Sequence, residues 1–324
     1  MKLQFLVPQY KETDEIIKPL LDSIAIQQNV DMKEIGMIIV NDGSDTKLSK
    51  DFLESYPFKI EYFENEHLGV SATRNACLDH ATANFVMFCD ADDMFCNICG
   101  LWALFREMQI GFDALISVFM EETRNPMNGE VVYINREMDS TFVHGKVYRR
   151  QYLIDNNIRF NPALTIHEDS YFNCLAQKCT QNAKYCQAPF YLWKWRDDSV
   201  CRHDPKYILK TYNNMLDSNT ALVKEFIKRK KESEAQFYCT SMIYDAYFTM
   251  NKSEWLNQEN QEYRLNTEKR FKEYYLEFKK LYQSVDEQVK AQIIMGIKNR
   301  FFQEGLLMES ITFDDWIKHV ENDL

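Results

Sequence analysis

The sequence predicts an α/β protein: a mostly parallel sheet flanked by helices over residues 1–205, then an all-helical region over 206–324. Three observations lead there. Apolar runs of strand length alternate with segments of helical spacing through about the first 90 residues, which implies a parallel sheet with right-handed crossovers. Each of those runs ends in a polar cluster, so the clusters share one sheet edge. All seven prolines lie at or before Pro205, and beyond it only helical periodicity is left.

Leu3 to Val7 is a first strand, stopped by Pro8. Glu12 to Gln28 places Ile16, Ile17, Leu20, Leu21 and Ile24 at helical spacing, with Pro19 early enough to be tolerated. Ile35 to Val40 is a second apolar strand, closed by the turn signal Asn41-Asp42-Gly43-Ser44-Asp45. A short helix over Leu48 to Ser55 and a strand over Phe58 to Phe63 follow. A helix from Ala72 to His80 comes next, and then Asn84-Phe85-Val86-Met87-Phe88-Cys89, which reads as a strand buried on both faces. Asp93 to Arg106 reads as a helix, Ala114 to Met120 and Val131 to Ile134 as strands, and Gln151 to Asn156 and Tyr171 to Lys178 as helices. Pro189 to Trp195 is an aromatic strand on which Trp193 and Trp195 alternate; one is expected to face the core and the other offers a stacking platform for a ligand ring, with packing in the core the favoured reading. Phe142 to Arg150 mixes aromatic and basic residues, with His144, Lys146, Arg149 and Arg150 read mainly as structural. Beyond Pro205, helices are expected at 207–230, 232–250, 264–282, 286–303 and 313–320.

Composition excludes several classes. The net charge of −11 leaves no basic excess for a nucleic-acid backbone. The opening apolar run is too short for a signal peptide or a membrane span, and the nine cysteines follow no framework spacing. The expected setting is therefore reducing and cytoplasmic, with any contact at the inner face of a membrane peripheral. Cys96 and Cys99 have metal-like spacing but no second pair, and read as free cysteines in a helix. Neither a Gly-x-Gly-x-x-Gly nor a Walker-type loop occurs, which disfavours dinucleotide enzymes and P-loop kinases.

The sharpest feature is the end of the fourth strand, Asp90-Ala91-Asp92-Asp93. Carboxylates crowded there repel one another unless a cation neutralises them. Mg²⁺ or Mn²⁺ suits such oxygen ligands and commonly shares its shell with phosphates.

Taken in order, Val7-Pro8-Gln9-Tyr10, Asn41-Asp42-Gly43-Ser44-Asp45, Gly69-Val70-Ser71-Ala72-Thr73-Arg74-Asn75, Asp90-Ala91-Asp92-Asp93 and His167-Glu168-Asp169 resemble the family 2 glycosyltransferases with the GT-A fold. The resemblance covers residues 1–205. It implies that Pro8, Tyr10 and Asp42 wall a nucleotide pocket, that Arg74 lies near the nucleotide and that Asp90 faces the ribose. It implies Asp92 as a ligand of Mn²⁺ or Mg²⁺, with His203 as a second ligand. Asp169 would be the general base, with Glu168 beside it. Asp93, Arg196, Ser199 and Arg202 would contact diphosphate or acceptor.

The function expected is inverting transfer of a sugar from a nucleotide donor, most often UDP-linked, to a hydroxyl of a glycan or other acceptor. Two other classes share part of the pattern. A sugar nucleotidyltransferase also sets acids around a metal, but its glycine- and lysine-bearing loop is missing near Val7. A non-catalytic carbohydrate-binding relative has no reason to keep both Asp92 and Asp169. The helical region carries no motif, and acceptor selection, membrane-surface docking and oligomerisation are all open to it.

Overall fold

The computed structural model describes residues 1–196, 206–303 and 311–322. The chain divides into two compact units, Met1–Ser199 and Val200–Leu324.

The first unit is built on a nine-stranded sheet. In chain order it runs β1 (Leu3–Gln9), α1 (Asp14–Ala25), β2 (Ile35–Asp42), α2 (Lys50–Glu54), β3 (Lys59–Asn65), α3 (Val70–His80), β4 (Phe85–Phe88) and β5 (Met94–Phe95). It continues with α4 (Gly100–Ile110), β6 (Ala114–Arg124), β7 (Val131–Arg136), β8 (Lys146–Arg149), α5 (Arg150–Asp155), α6 (Glu168–Lys178) and β9 (Ala183–Trp193). The strand order is β3-β2-β1-β4-β8-β6-β9-β5, with β7 alongside β6.

The first four strands pair in parallel, as their continuous apolar runs predict. Leu3, Phe5 and Val7 of β1, Met37 and Ile39 of β2 and Met87 of β4 are buried in one core with Ile17, Leu20 and Ile24 of α1 and Leu101 and Leu104 of α4. Each such side chain contributes about 1.5–3 kcal/mol through burial. The rigid sheet this produces presents all four strand ends on one edge.

The rest of the sheet is mixed. The strand β8, unassigned in the sequence, lies antiparallel between β4 and β6. Its lysine disguised it: Lys146 is fully buried and donates to the carbonyls of Phe142 and His144, which makes a cation acceptable in a core strand. The strand β9 pairs parallel with β6 and starts several residues earlier than its aromatic half suggested.

The helix expected from Asp93 begins only at Gly100. Tertiary partners take the intervening main-chain groups. Phe95 N donates to Ser23 Oγ at 2.9 Å and Cys96 N to the Phe190 carbonyl at 3.0 Å, while β5 pairs with β9. Cys96 and Cys99 therefore precede the helix instead of lying inside it.

The second unit is all helical: α7 (Tyr207–Lys228), α8 (Glu232–Met250), α9 (Ser253–Leu256), α10 (Gln261–Gln283), α11 (Glu287–Gln303) and α12 (Phe313–Asn322). Its core is aromatic, with Phe271 stacked on Trp316 and Tyr244 on Phe313. Buried hydroxyls find partners: Tyr212 donates to Asp245 at 2.9 Å and Tyr274 to Asn219 at 2.7 Å. Among the described residues no helix is long and apolar enough to cross a membrane.

Candidate active site

A cavity of about 370 Å³ opens at the C-terminal edge of β1, β2 and β4. Pro8, Gln9, Tyr10 and Glu12 line it from the β1 end, Asp42 from β2, His67, Gly69 and Arg74 from the approach to α3 and its first turns, and Asp90, Ala91 and Asp92 from β4. Parallel sheets bind ligands in this position, because loops from adjacent strands diverge there.

The Asp42 carboxylate is turned into the loop before α3. It accepts from Leu68 N at 2.9 Å and from Gly69 N at 3.1 and 3.2 Å, and lies 2.9 Å from His67 Nδ1. Those amides would otherwise be unpaired at a helix start. Gly43 makes the approach feasible. Its φ is +71°, and a Cβ there would stand 2.4 Å from His67 N. Tyr10 stacks on the His67 ring, with centroids 4.8 Å apart. His67 and Glu12 were not singled out in the sequence. Both lie in the polar clusters that end β3 and β1, and Glu12 accepts from Tyr10 N at 2.5 Å.

Arg74 joins the two acidic motifs. It is buried on α3, donating from Nη1 to Glu168 at 2.9 Å and from Nη2 to Asp90 at 3.0 Å. Burial acts to lower the guanidinium pKa, but Asp90, Glu168 and Asp169 outweigh it and the net shift is upward. Burial acts to raise Asp90, yet Arg74 and other cations hold it below the usual carboxylate value.

The three acids of the β4 motif separate. Asp92 faces the cavity and accepts from Arg196 Nη1 at 2.9 Å. Its pKa is raised by burial and by Asp90, with Arg196 opposing. Asp93, expected at the diphosphate or acceptor, is instead fully buried, because Tyr191 and the main chain draw it inward. Tyr191 Oη donates to it at 2.6 Å and Lys194 N at 2.9 Å. Burial and its two neighbouring acids push its pKa well up. His144 lies 3.6 Å from Asp93, stacked against Phe142, Tyr191 and Trp193. Trp193 therefore packs inward, and Trp195 lies under Arg124.

Among the described residues, Asp90, Asp93 and His144 bring potential ligand atoms within 4.8 Å of one another. Asp93 has both oxygens engaged, which leaves Asp90 and Asp92 as the carboxylates that the β4 motif presents on the cavity wall, alongside Asp42 and Glu12. Burial first and the Asp90 charge second raise Asp92, and a hard divalent cation bound to the pair would offset both.

Asp169 stands beside Glu168 at the start of α6 and accepts from Ser170 N at 2.8 Å. Burial, then the Glu168 charge, raise its pKa to about 7 against the pull of Arg74. A carboxyl tuned to neutrality can take a proton at physiological pH. Nearby, burial lowers Lys146 to about 8, with Asp139 and Asp169 opposing. Ser199, Arg202 and His203 lie outside the described residues.

Sheet order and the convergence of the loops after β1, β2 and β4 and before α3 on one cavity are those of the GT-A fold. Residues 5–156 match the family profile described as Glycosyl transferase family 2. The chain is 26% identical over 247 residues to "Putative glycosyltransferase EpsH" of Bacillus subtilis (strain 168), covering 69% of each chain. It is 27% identical over 227 residues to "Glycosyltransferase GlyA" of Streptococcus pneumoniae, covering 62% of this chain but 32% of GlyA. Its fold is similar to that of S. aureus TarS 1–349 in complex with UDP, with a TM-score of 0.59 at 18% identity, covering 96% of this chain and 94% of that one. The match to the family 2 glycosyltransferase profile thus spans residues 5–156, and similarity to proteins named as glycosyltransferases extends over about two thirds of the chain.

Proposed function

We propose that the protein transfers a sugar from a UDP-sugar to an acceptor hydroxyl with inversion at the anomeric carbon. The observation that carries this reading is the Arg74 bridge between Asp90 and Glu168. It ties the β4 acids to the α6 acids in one site, as a single displacement requires.

In this reading Tyr10 and the Asp42 turn receive the base, Asp90 the ribose, and Arg74 the donor side of the sugar. The acceptor hydroxyl approaches from the opposite face. Asp169 takes its proton while the oxygen attacks the anomeric carbon. The attack passes through a transition state with oxocarbenium character, as in glycoside hydrolysis. Asp92, with Asp90 beside it, would hold Mn²⁺ or Mg²⁺, which supplies positive charge to the departing diphosphate. His203 is proposed to complete that shell, and Ser199, Arg202 and Arg196 to contact the diphosphate. The UDP complex of the TarS domain supports uridine as the base. The helical unit is proposed to select the acceptor.

The test is a panel of UDP-sugars with Mn²⁺ or Mg²⁺, scored for acceptor-dependent UDP release and for the anomeric configuration of the product. UDP release that is abolished by EDTA and by Asp92→Ala, with an inverted product, supports the reading. A retained configuration, or pyrophosphate formed from a nucleoside triphosphate and a sugar phosphate, contradicts it.

A further inference from the structure

The hairpin of β6 and β7 carries an unusual edge. Among the described residues β7 pairs with β6 alone, so its other side is an open row of main-chain groups. Natural edges are normally blunted by lysine, proline or a bulge. This one reads Val131-Val132-Tyr133-Ile134, with those four side chains 38–53% exposed.

The backbone fixes which residues face outward. Asn125 N donates to the Glu130 carbonyl at 2.8 Å, next to the opposed pair Arg124 and Val131. Opposed residues in an antiparallel ladder alternate between bonded and non-bonded pairs. Glu130, Val132, Ile134 and Arg136 therefore direct their main-chain groups to β6, and Val131, Tyr133 and Asn135 direct theirs to the open edge.

We propose that β7 joins a second copy of this chain, antiparallel, about a two-fold axis at Tyr133. This register sets Tyr133 against Tyr133 and Val131 against Asn135, so outward groups meet outward groups and all of them are bonded. It also sets Val132 against Ile134 on the other face, and Glu130 against Arg136 at both ends. A slip of one residue in either direction pairs outward with inward groups, and in one direction it also opposes Glu130 to Glu137. A slip of two sets Glu130 or Arg136 against an apolar residue. Charge complementarity thus selects the one register that main-chain geometry also satisfies. In the single chain Arg136 is bonded to Glu121 and Glu130 to Asn128, both of which leave room for a second partner on an exposed side chain. The contact is isologous, so it closes at a dimer instead of propagating.

The test is sedimentation equilibrium of the full chain across the micromolar range, with circular dichroism to confirm folding. The wild type is expected to dimerise. Glu130→Arg opposes two pairs of like charges and should weaken the dimer about tenfold or more, and adding Arg136→Glu should restore it. Tyr133→Pro, which removes an outward N–H, should leave a folded monomer. A wild type that stays monomeric overturns the proposal, as does a dimer indifferent to Glu130→Arg and Tyr133→Pro.

Discussion

Arg74 and Glu168, 94 positions apart, meet through a 2.9 Å charge-assisted bond in the interior of the catalytic unit. The other arm of the same guanidinium holds Asp90 at 3.0 Å. One side chain thereby fixes the distance between the acids expected at the donor and those expected at the acceptor. Lysine has no planar fork with which to hold both.

Replacing Arg74 with Met should leave the buried Glu168 and the partly exposed Asp90 without their cation, and cost about 3 kcal/mol of stability, the low end for breaking a buried pair because Asp90 reaches solvent. Arg74→Lys should cost less but still depress turnover, since only one carboxylate can be held. Urea denaturation of both variants checks the order, and equal stability of all three proteins would refute it.

Because Asp169 titrates near 7, catalysis that needs its ionised form should follow pH. The rate kcat/KM is expected to rise through pH 7 and level off above it, with about a tenth of the plateau left at pH 6. The stability dependence has the opposite sign. A carboxyl raised in the folded state favours folding below its ordinary value, and that advantage is lost as pH rises through about 7. The ligand-free protein should therefore unfold more easily at pH 8 than at pH 5, and Asp169→Asn should remove much of that difference. A pH–rate profile flat between 6 and 8 would contradict the assignment.

Gly43 and Gly69 both have positive φ, +71° and +87°, but only Gly43 faces a wall. An added Cβ at Gly69 meets nothing within 4 Å, whereas at Gly43 it meets His67 N at 2.4 Å. Gly69→Ala should cost about 1–3 kcal/mol of backbone strain, since its φ of 87° and ψ of 164° lie in a region that only glycine adopts readily. Gly43→Ala should cost clearly more, and should weaken UDP binding because the Asp42 turn must shift. Thermal melts with and without UDP measure both effects.

His67 stacks on the ring expected to receive the base and also contacts Asp42. A base entering there must displace it. Removing it with His67→Ala should tighten UDP binding by roughly two- to tenfold, the equivalent of one lost aromatic stack. Calorimetric titration reads this directly, and weaker binding would mean that His67 contributes a wall to the bound state.

The fold was legible where one physical signal dominated. The runs ending at Val7, Val40 and Phe88 are apolar on both faces and could only be parallel strands. In the helical unit the 3.6-residue spacing of aromatic and aliphatic residues marked nearly every helix. The sequence was silent where tertiary partners override local preference. Residues 93–99 look helical until Ser23, Phe190 and β9 claim their main-chain groups. Lys146 hides a core strand because its carbonyl partners come from its own approach loop. At the site, motif order carried Asp42, Arg74, Asp90 and Asp92 to one cavity. It could not show that Asp93 turns inward, since that depends on Tyr191, 98 positions away.

The central claim is that Asp169 serves as the base in a site whose donor half it does not touch. The most direct measurement pairs UDP affinity with turnover in Asp169→Asn. Turnover should fall by about 10²–10⁴-fold while the Kd for UDP stays close to that of the wild type. Turnover that survives the substitution, or UDP affinity lost together with it in a folded protein, would contradict the account.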